Sequence, residues 1–248
     1  MMILIYIIVG FIAEMIDGTL GMAYGVSCRT FIKTFTGVPS EAISPIIHYA
    51  EIPTTLLSMI SHIRYKNIDK KIFKNLLITG IIGGFLGAYI TSLKINLIEF
   101  IVNIYLIIMG IIILYTSIKK NKVCLMKSKI YIKILGFVAS FLDAIGGGGW
   151  GPITTGSLLN TDIPTKKVIG TVNATEFFVT LSSSISFILF ISNIKKYLIV
   201  TIGLIIGGSI AAPLSAKLCQ KIPNEKLSLL IGITLIILNF YNCVLFFK

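Results

Sequence analysis

The chain carries one glycine-broken motif with a carboxylate in it, twice, inside apolar sequence, and few folds accommodate that. Gly10-Phe11-Ile12-Ala13 precedes Asp17 and the glycines Gly18, Gly21 and Gly25. Gly136-Phe137-Val138-Ala139 precedes Asp143 and the denser run Gly146-Gly147-Gly148-Gly149-Trp150-Gly151-Pro152. The aspartates lie 126 residues apart, about half of the 248-residue chain. In hydrocarbon a broken helix survives only where it is buried in protein or lines a cavity, because its freed N–H and C=O groups need partners. Broken segments at matching positions of two halves point to a carrier with its binding site at the repeat interface.

Composition agrees. Hydrophobic residues make up 55% of the chain and charged residues 13%, against about 25% charged in soluble domains. Spans need about 20 mostly apolar residues. Leu76–Leu93, Phe100–Ile118, Tyr197–Ala216 and Leu227–Phe247 qualify with Lys only at their rims. Ala42–Ile63 and Val168–Ile194 are as long but hold His48, Glu51, His62 and Glu176, and Ile3–Phe35 and Ile134–Leu159 are broken by Asp and Gly. The expectation is an all-α integral membrane protein of the cell membrane, multi-pass, with about eight membrane segments and too little remaining chain for an extramembrane catalytic domain. The net charge of +12 falls in short connections, as the positive-inside rule requires, and forms no basic face of the kind nucleic acid needs. The four cysteines show no C-x-x-C spacing; Cys28, beside Arg29, reads as a small packing residue. His48 and His62 are too far apart for an i, i+4 metal pair. No metal site, no cofactor and no enzyme motif is expected.

The two halves, 1–122 and 123–248, read as pseudo-symmetric transmembrane repeats of four segments each. Pro39 matches Pro164, Glu51 matches Glu176, and Gly83 matches Gly208, while His48 falls on Asn173 and Thr55 on Thr180. Two orientations are open. If every segment crosses, the repeats are parallel. If the first segment of each half is a re-entrant hairpin, each half crosses three times and the repeats are inverted. The second arrangement puts 16 of the 22 Lys and Arg on one side, the more lopsided division, and is favoured by the positive-inside rule.

Three constellations could carry chemistry. Gly146, Gly147, Gly148 and Gly149 cannot hold a helix well, and a helix restarting after them exposes N–H groups and a dipole suited to an anion. Trp150 and Pro152 open that helix, and Thr154 and Thr155 add hydroxyl donors; close helix packing is the competing account of the glycines. Gly18, Gly21, Ser27 and Arg29 form the sparser first copy, with Arg29 either a counter-charge or a rim residue reaching the headgroups. Asp17 and Asp143 are costly in a membrane and so have a job or a partner: capping the break or carrying a proton. His48, Glu51 and Thr55 share one helix face, as do Asn173, Glu176 and Thr180, which suits a cavity lining or structural pairs.

At these residues the chain resembles the sulfite exporter TauE/SafE (TSUP) family, whose pattern is a glycine-rich, Gly-Pro-terminated segment once per half. Gly146–Gly149, Gly151 and Pro152 match the second copy, followed by Pro164 and Gly170-Thr171; in the first copy Val26 stands where Pro152 stands. The resemblance implies a secondary transporter of a small sulfur oxyanion or organosulfonate, driven by an ion gradient (H⁺ or Na⁺), with the lipid bilayer and the anion as its partners. A passive anion channel and a non-transporting membrane assembly partner remain open as alternatives.

Overall fold

Two short non-helical links, residues 21–23 and 147–149, divide what would otherwise be long apolar helices. The computed structural model describes residues 2–91, 128–159, 161, 163–191 and 194–246, with scattered positions between 104 and 118. Among these the elements are α1 (Met2–Leu20), α2 (Tyr24–Phe35), α3 (Ser40–Arg64), α4 (Lys70–Thr91), α5 (Lys129–Gly146), α6 (Trp150–Leu159), α7 (Thr165–Phe190), α8 (Leu198–Lys221) and α9 (Asn224–Phe246), with a 3₁₀ turn at Ile194–Tyr197 before α8. The segment expected over Phe100–Ile118 falls mostly outside the described residues, and Cys124 falls wholly outside them.

The helix ends follow from local chemistry. Pro39 and Pro164 occupy the N-cap positions of α3 and α7, where a missing N–H and a fixed φ cost nothing. The ends of α1 and α5 are alike. Gly21 and Gly147 take positive φ, 74° and 69°, the left-handed turn that terminates helices and that glycine enters without a Cβ penalty. Each donates its N–H to the carbonyl four residues back, of Asp17 and Asp143 respectively.

Helices α1 (over Ile3–Leu20), α4, α7 and α8 are long and apolar enough to cross a membrane. Helix α3 has 25 residues, roughly 37 Å at the α-helical rise, but is more polar. It buries that polarity: His48 and His62 are wholly inaccessible and Glu51 nearly so. The exposed faces are apolar at helical spacing, with Ile78, Ile82, Leu86 and Tyr89 on α4 and Ile199, Ile202, Ile206, Ile210 and Leu214 on α8. Apolar outside and polar inside is the pattern that lipid imposes.

Helix α1 packs along α8, and α5 along α4. Glycines allow the approach: a Cβ on Gly10 would sit 2.8 Å from the Leu204 Cα, and one on Gly87 would sit 2.9 Å from the Phe141 Cα. This is the small-residue packing of membrane helices.

Contact order gives the helix directions. Along α4 and α7 the Ser182 and Ser186 hydroxyls donate to the Ile81 and Phe85 carbonyls, so the two helices run the same way. Helices α1 and α8 also run together, from Tyr6 beside Gly203 to Thr19 bonded to the Ser215 carbonyl. Helices α3 and α7 run in opposite directions, His48 lying against Phe187 while Ser58 bonds Asn173.

Candidate functional site

The two breaks meet. A Cβ on Gly25 would lie 2.5 Å from the Gly148 Cα, and one on Gly151 would lie 2.7 Å from the Met22 Cα. At an offset of 126, Gly25 maps to Gly151 and Met22 to Gly148, so the two contacts are reciprocal at that offset. The Thr155 hydroxyl ties the pair together by donating to the Gly21 carbonyl at 2.6 Å. Met22, Ala23, Tyr24 and Trp150 are all buried there. Ala23 holds a positive φ of 93°, a conformation of non-glycine residues found where surroundings over-determine the backbone.

Each aspartate caps its own break. Asp143 Oδ1 accepts the Gly149 N–H at 2.7 Å, and Asp17 Oδ1 accepts the Tyr24 N–H at 3.3 Å. The capping role is thus present in both copies, and Asp143 accounts for the Gly149 amide directly and the Gly147 amide through its carbonyl. The other oxygens differ. Asp143 Oδ2 lies 3.2 Å from His48 Nε2, whereas Asp17 Oδ2 is buried without a partner.

The His48 contact fixes a proton. His48 Nδ1 lies 2.9 Å from the Ser44 carbonyl, which only accepts, so Nδ1 carries hydrogen. Nε2 then faces a carboxylate oxygen, and a bond between them needs a second proton, on the ring or on Asp143. His62 differs. Its Nε2 faces the Gly18 carbonyl at 3.1 Å and its Nδ1 faces the Asn67 amide at 3.1 Å, an arrangement the neutral ring satisfies completely.

The remaining expected residues fall into two groups. Trp150 is a core residue, wholly buried, its indole N–H donating to the Val172 carbonyl. The Thr154 hydroxyl donates to the Trp150 carbonyl at 2.5 Å, so it and Thr155 serve backbone groups in this conformation. Gly18 leaves room for the Ser215 and Glu14 side chains, and Gly146 faces the Arg29 guanidinium, 3.7 Å from where its Cβ would be. The Ser27 hydroxyl is buried without a partner. Glu51 and Glu176 come from the antiparallel helices α3 and α7 into electrostatic range of Asp17 and Asp143. Asn173, the mate of His48, accepts from Ser58 at 2.8 Å instead of pairing with Asp17.

Glu14 was not among the expected residues. It is wholly buried, one turn before Asp17, and neither of its oxygens has a partner. The signal was available in the i, i+3 spacing to Asp17, which puts both carboxylates on one face.

Crossed helix breaks and buried carboxylates, wrapped by apolar helices of membrane-spanning length, define an all-helical multi-pass membrane protein. The family model for the sulfite exporter TauE/SafE matches residues 6–241. The chain is 34% identical over 244 residues to the "Probable membrane transporter protein YtnM" of Bacillus subtilis (strain 168), covering 96% of this chain and 81% of that protein. No solved structure matches. The chain therefore belongs to the sulfite exporter TauE/SafE family, and is a membrane transporter and not an enzyme.

Proposed function

We propose that the protein is a secondary transporter of a small anion, a sulfur oxyanion or organosulfonate, working by alternating access of two inverted repeats in the cell membrane. The observation that carries the reading is the crossing of the two breaks at their equivalent glycines, because it puts the only irregular backbone of both hairpins at the interface between halves. The antiparallel packing of α3 on α7 supports the inversion, since these are equivalent helices. The directions of α1 with α8 and of α3 against α7 support a segment 2–35 that turns back at its break, as a re-entrant hairpin does. In this reading the oxyanion is held at the start of α6 by first-turn amides that have no intrahelical acceptor. Gly148 lets backbone come close, and Arg29 beside Gly146 supplies positive charge. Glu51 and Glu176 line the path from the two sides, and the proton between His48 and Asp143 makes H⁺ the favoured coupling ion.

Uptake by proteoliposomes of labelled sulfite, thiosulfate, sulfoacetate and a simple carboxylate, with and without a pH gradient, tests this. Saturable accumulation of at least one sulfur anion, enhanced by the gradient, is expected. Flux that never exceeds equilibration would make the protein a channel, and no flux of any of them would sink the anion reading.

A further inference from the structure

We propose that Glu14 and Asp17 form the proton-carrying site of this transporter: a buried carboxyl pair on α1 that holds at least one proton while occluded and gives it to water when the break opens. The proposal rests on the transporter reading above and adds to it the residues that carry the proton. Glu14 is 0% exposed, and both its oxygens lack a hydrogen-bond partner, as does Asp17 Oδ2. The hydroxyls nearby are committed elsewhere. Ser58 faces Glu14 but donates to Asn173 at 2.8 Å, and Ser215, which packs on Gly18, donates to the Ala212 carbonyl at 2.9 Å.

The groups placed around Glu14 are carboxyls, a phenol and a thiol. Asp17 lies on its own helix, Tyr24 and Cys28 face it from α2, Glu51 from α3, and Glu176 from α7, while Asp143 on α5 reaches Asp17. Helix α8 offers the Ser215 hydroxyl. The groups acting most strongly on Glu14 are the Asp17 carboxylate and the Ser58 hydroxyl, neither of them a cation. A fully buried carboxylate whose oxygens accept no hydrogen bond, beside a second carboxylate, is costly to ionise, and such a group takes a proton instead. Nor is there a ready metal alternative, since among the described residues no three His, Cys, Asp or Glu side chains converge as metal ligands.

The two halves treat their aspartates differently. Position 140, the mate of Glu14, is Ser140, whose hydroxyl donates to the Gly136 carbonyl at 2.8 Å. Position 48 in the first half is His48, whose Nε2 lies 3.2 Å from Asp143 Oδ2; its mate Asn173 leaves Asp17 to Glu14. One copy thus has a carboxylate–imidazole pair and the other a carboxyl–carboxyl pair. The second kind must bind a proton to be buried and must lose it to be charged. The proton moves from a carboxylic O–H to water and back, with no other bond changed. Binding it removes negative charge from beside the anion, so proton and anion favour each other's binding and travel together.

Infrared difference spectroscopy on the purified full-length protein tests the proton without needing a substrate. At neutral pH the wild type should show the C=O stretch of a buried carboxylic acid, downshifted in D₂O, and Glu14→Gln should lose it. Asp17→Asn, as a second variant, should shift or remove the same band. Gel filtration and thermal unfolding confirm that each variant folds. In proteoliposomes the wild type should bind labelled thiosulfate more tightly as pH falls, and Glu14→Gln, which mimics the protonated acid, should show less than a twofold change over the same range. An unchanged infrared spectrum in both folded variants, or Na⁺ binding to the wild type that Glu14→Gln abolishes, overturns the proposal and leaves the transporter reading standing. A band that behaves as expected with no anion flux would overturn the transporter reading instead.

Discussion

At the scale of single residues, the fate of each carboxylate depends on what faces it. Asp143 has three commitments: a backbone cap through Oδ1, a partner ring through Oδ2, and a carbonyl holding the Gly147 amide. Asp143→Asn keeps an oxygen for the cap and loses the charge, whereas Asp143→Ala loses the cap as well. The alanine variant should therefore be less stable than the asparagine variant by about 1 kcal/mol, the usual worth of a side-chain cap. Thermal unfolding midpoints in detergent micelles measure the difference, and equal midpoints would mean that the Gly149 bond contributes nothing. These roles were partly legible in the sequence. A carboxylate beside a glycine break suggests a cap, and the cap is there in both copies. The His48 partnership was not legible, because 95 residues separate it from Asp143 and only the packing of α3 beside the end of α5 brings the two together. Glu14 is the mirror case: its i, i+3 spacing to Asp17 was visible in the sequence, but only the packing shows both its oxygens buried without a partner.

At the scale of elements, the fold is built from close crossings that have no room for a Cβ. Gly25 and Gly151 are equivalent, and each lies against backbone of the other break, 2.5 Å and 2.7 Å from the nearest Cα for an added Cβ. Gly25→Ala and Gly151→Ala should each destabilise by roughly 1–3 kcal/mol, the range for overpacking, and by similar amounts, because they strain one symmetric contact. Gly37→Ala, with nothing within 4 Å of the added atom, is the control and should be neutral. A tolerated Gly25→Ala beside a damaging Gly151→Ala would mean the contact is not shared equally. The glycines themselves could be counted from the sequence, but not which of two uses they served. Gly21 and Gly147 end helices by their left-handed backbone, whereas Gly25, Gly148 and Gly151 serve proximity. The expectation that Thr154 and Thr155 face a substrate meets hydroxyls that donate to backbone carbonyls, since a dry interior presses every polar group toward the nearest acceptor.

At the scale of the whole molecule, topology turns on one comparison. Lys70 and Lys196 both follow the second long segment of their halves and both are exposed. In parallel repeats they share a face of the membrane; in inverted repeats they lie on opposite faces. Single-cysteine variants at these positions, in a background without the native cysteines, should label from opposite sides with an impermeant reagent, and labelling from one side would require four full crossings per half. By itself the sequence determined that this is a helical membrane protein and where its helices break, and its matched motifs gave the reading of a doubled plan. Those are matters of composition, spacing and residue type, which act locally. Only the tertiary structure decided which helix of one half lies on which helix of the other, that the breaks cross at their glycines, and that Asp143 is matched by a histidine while Asp17 is left with Glu14. Partnership between buried charges is a property of the space between distant segments, and a linear pattern does not contain it.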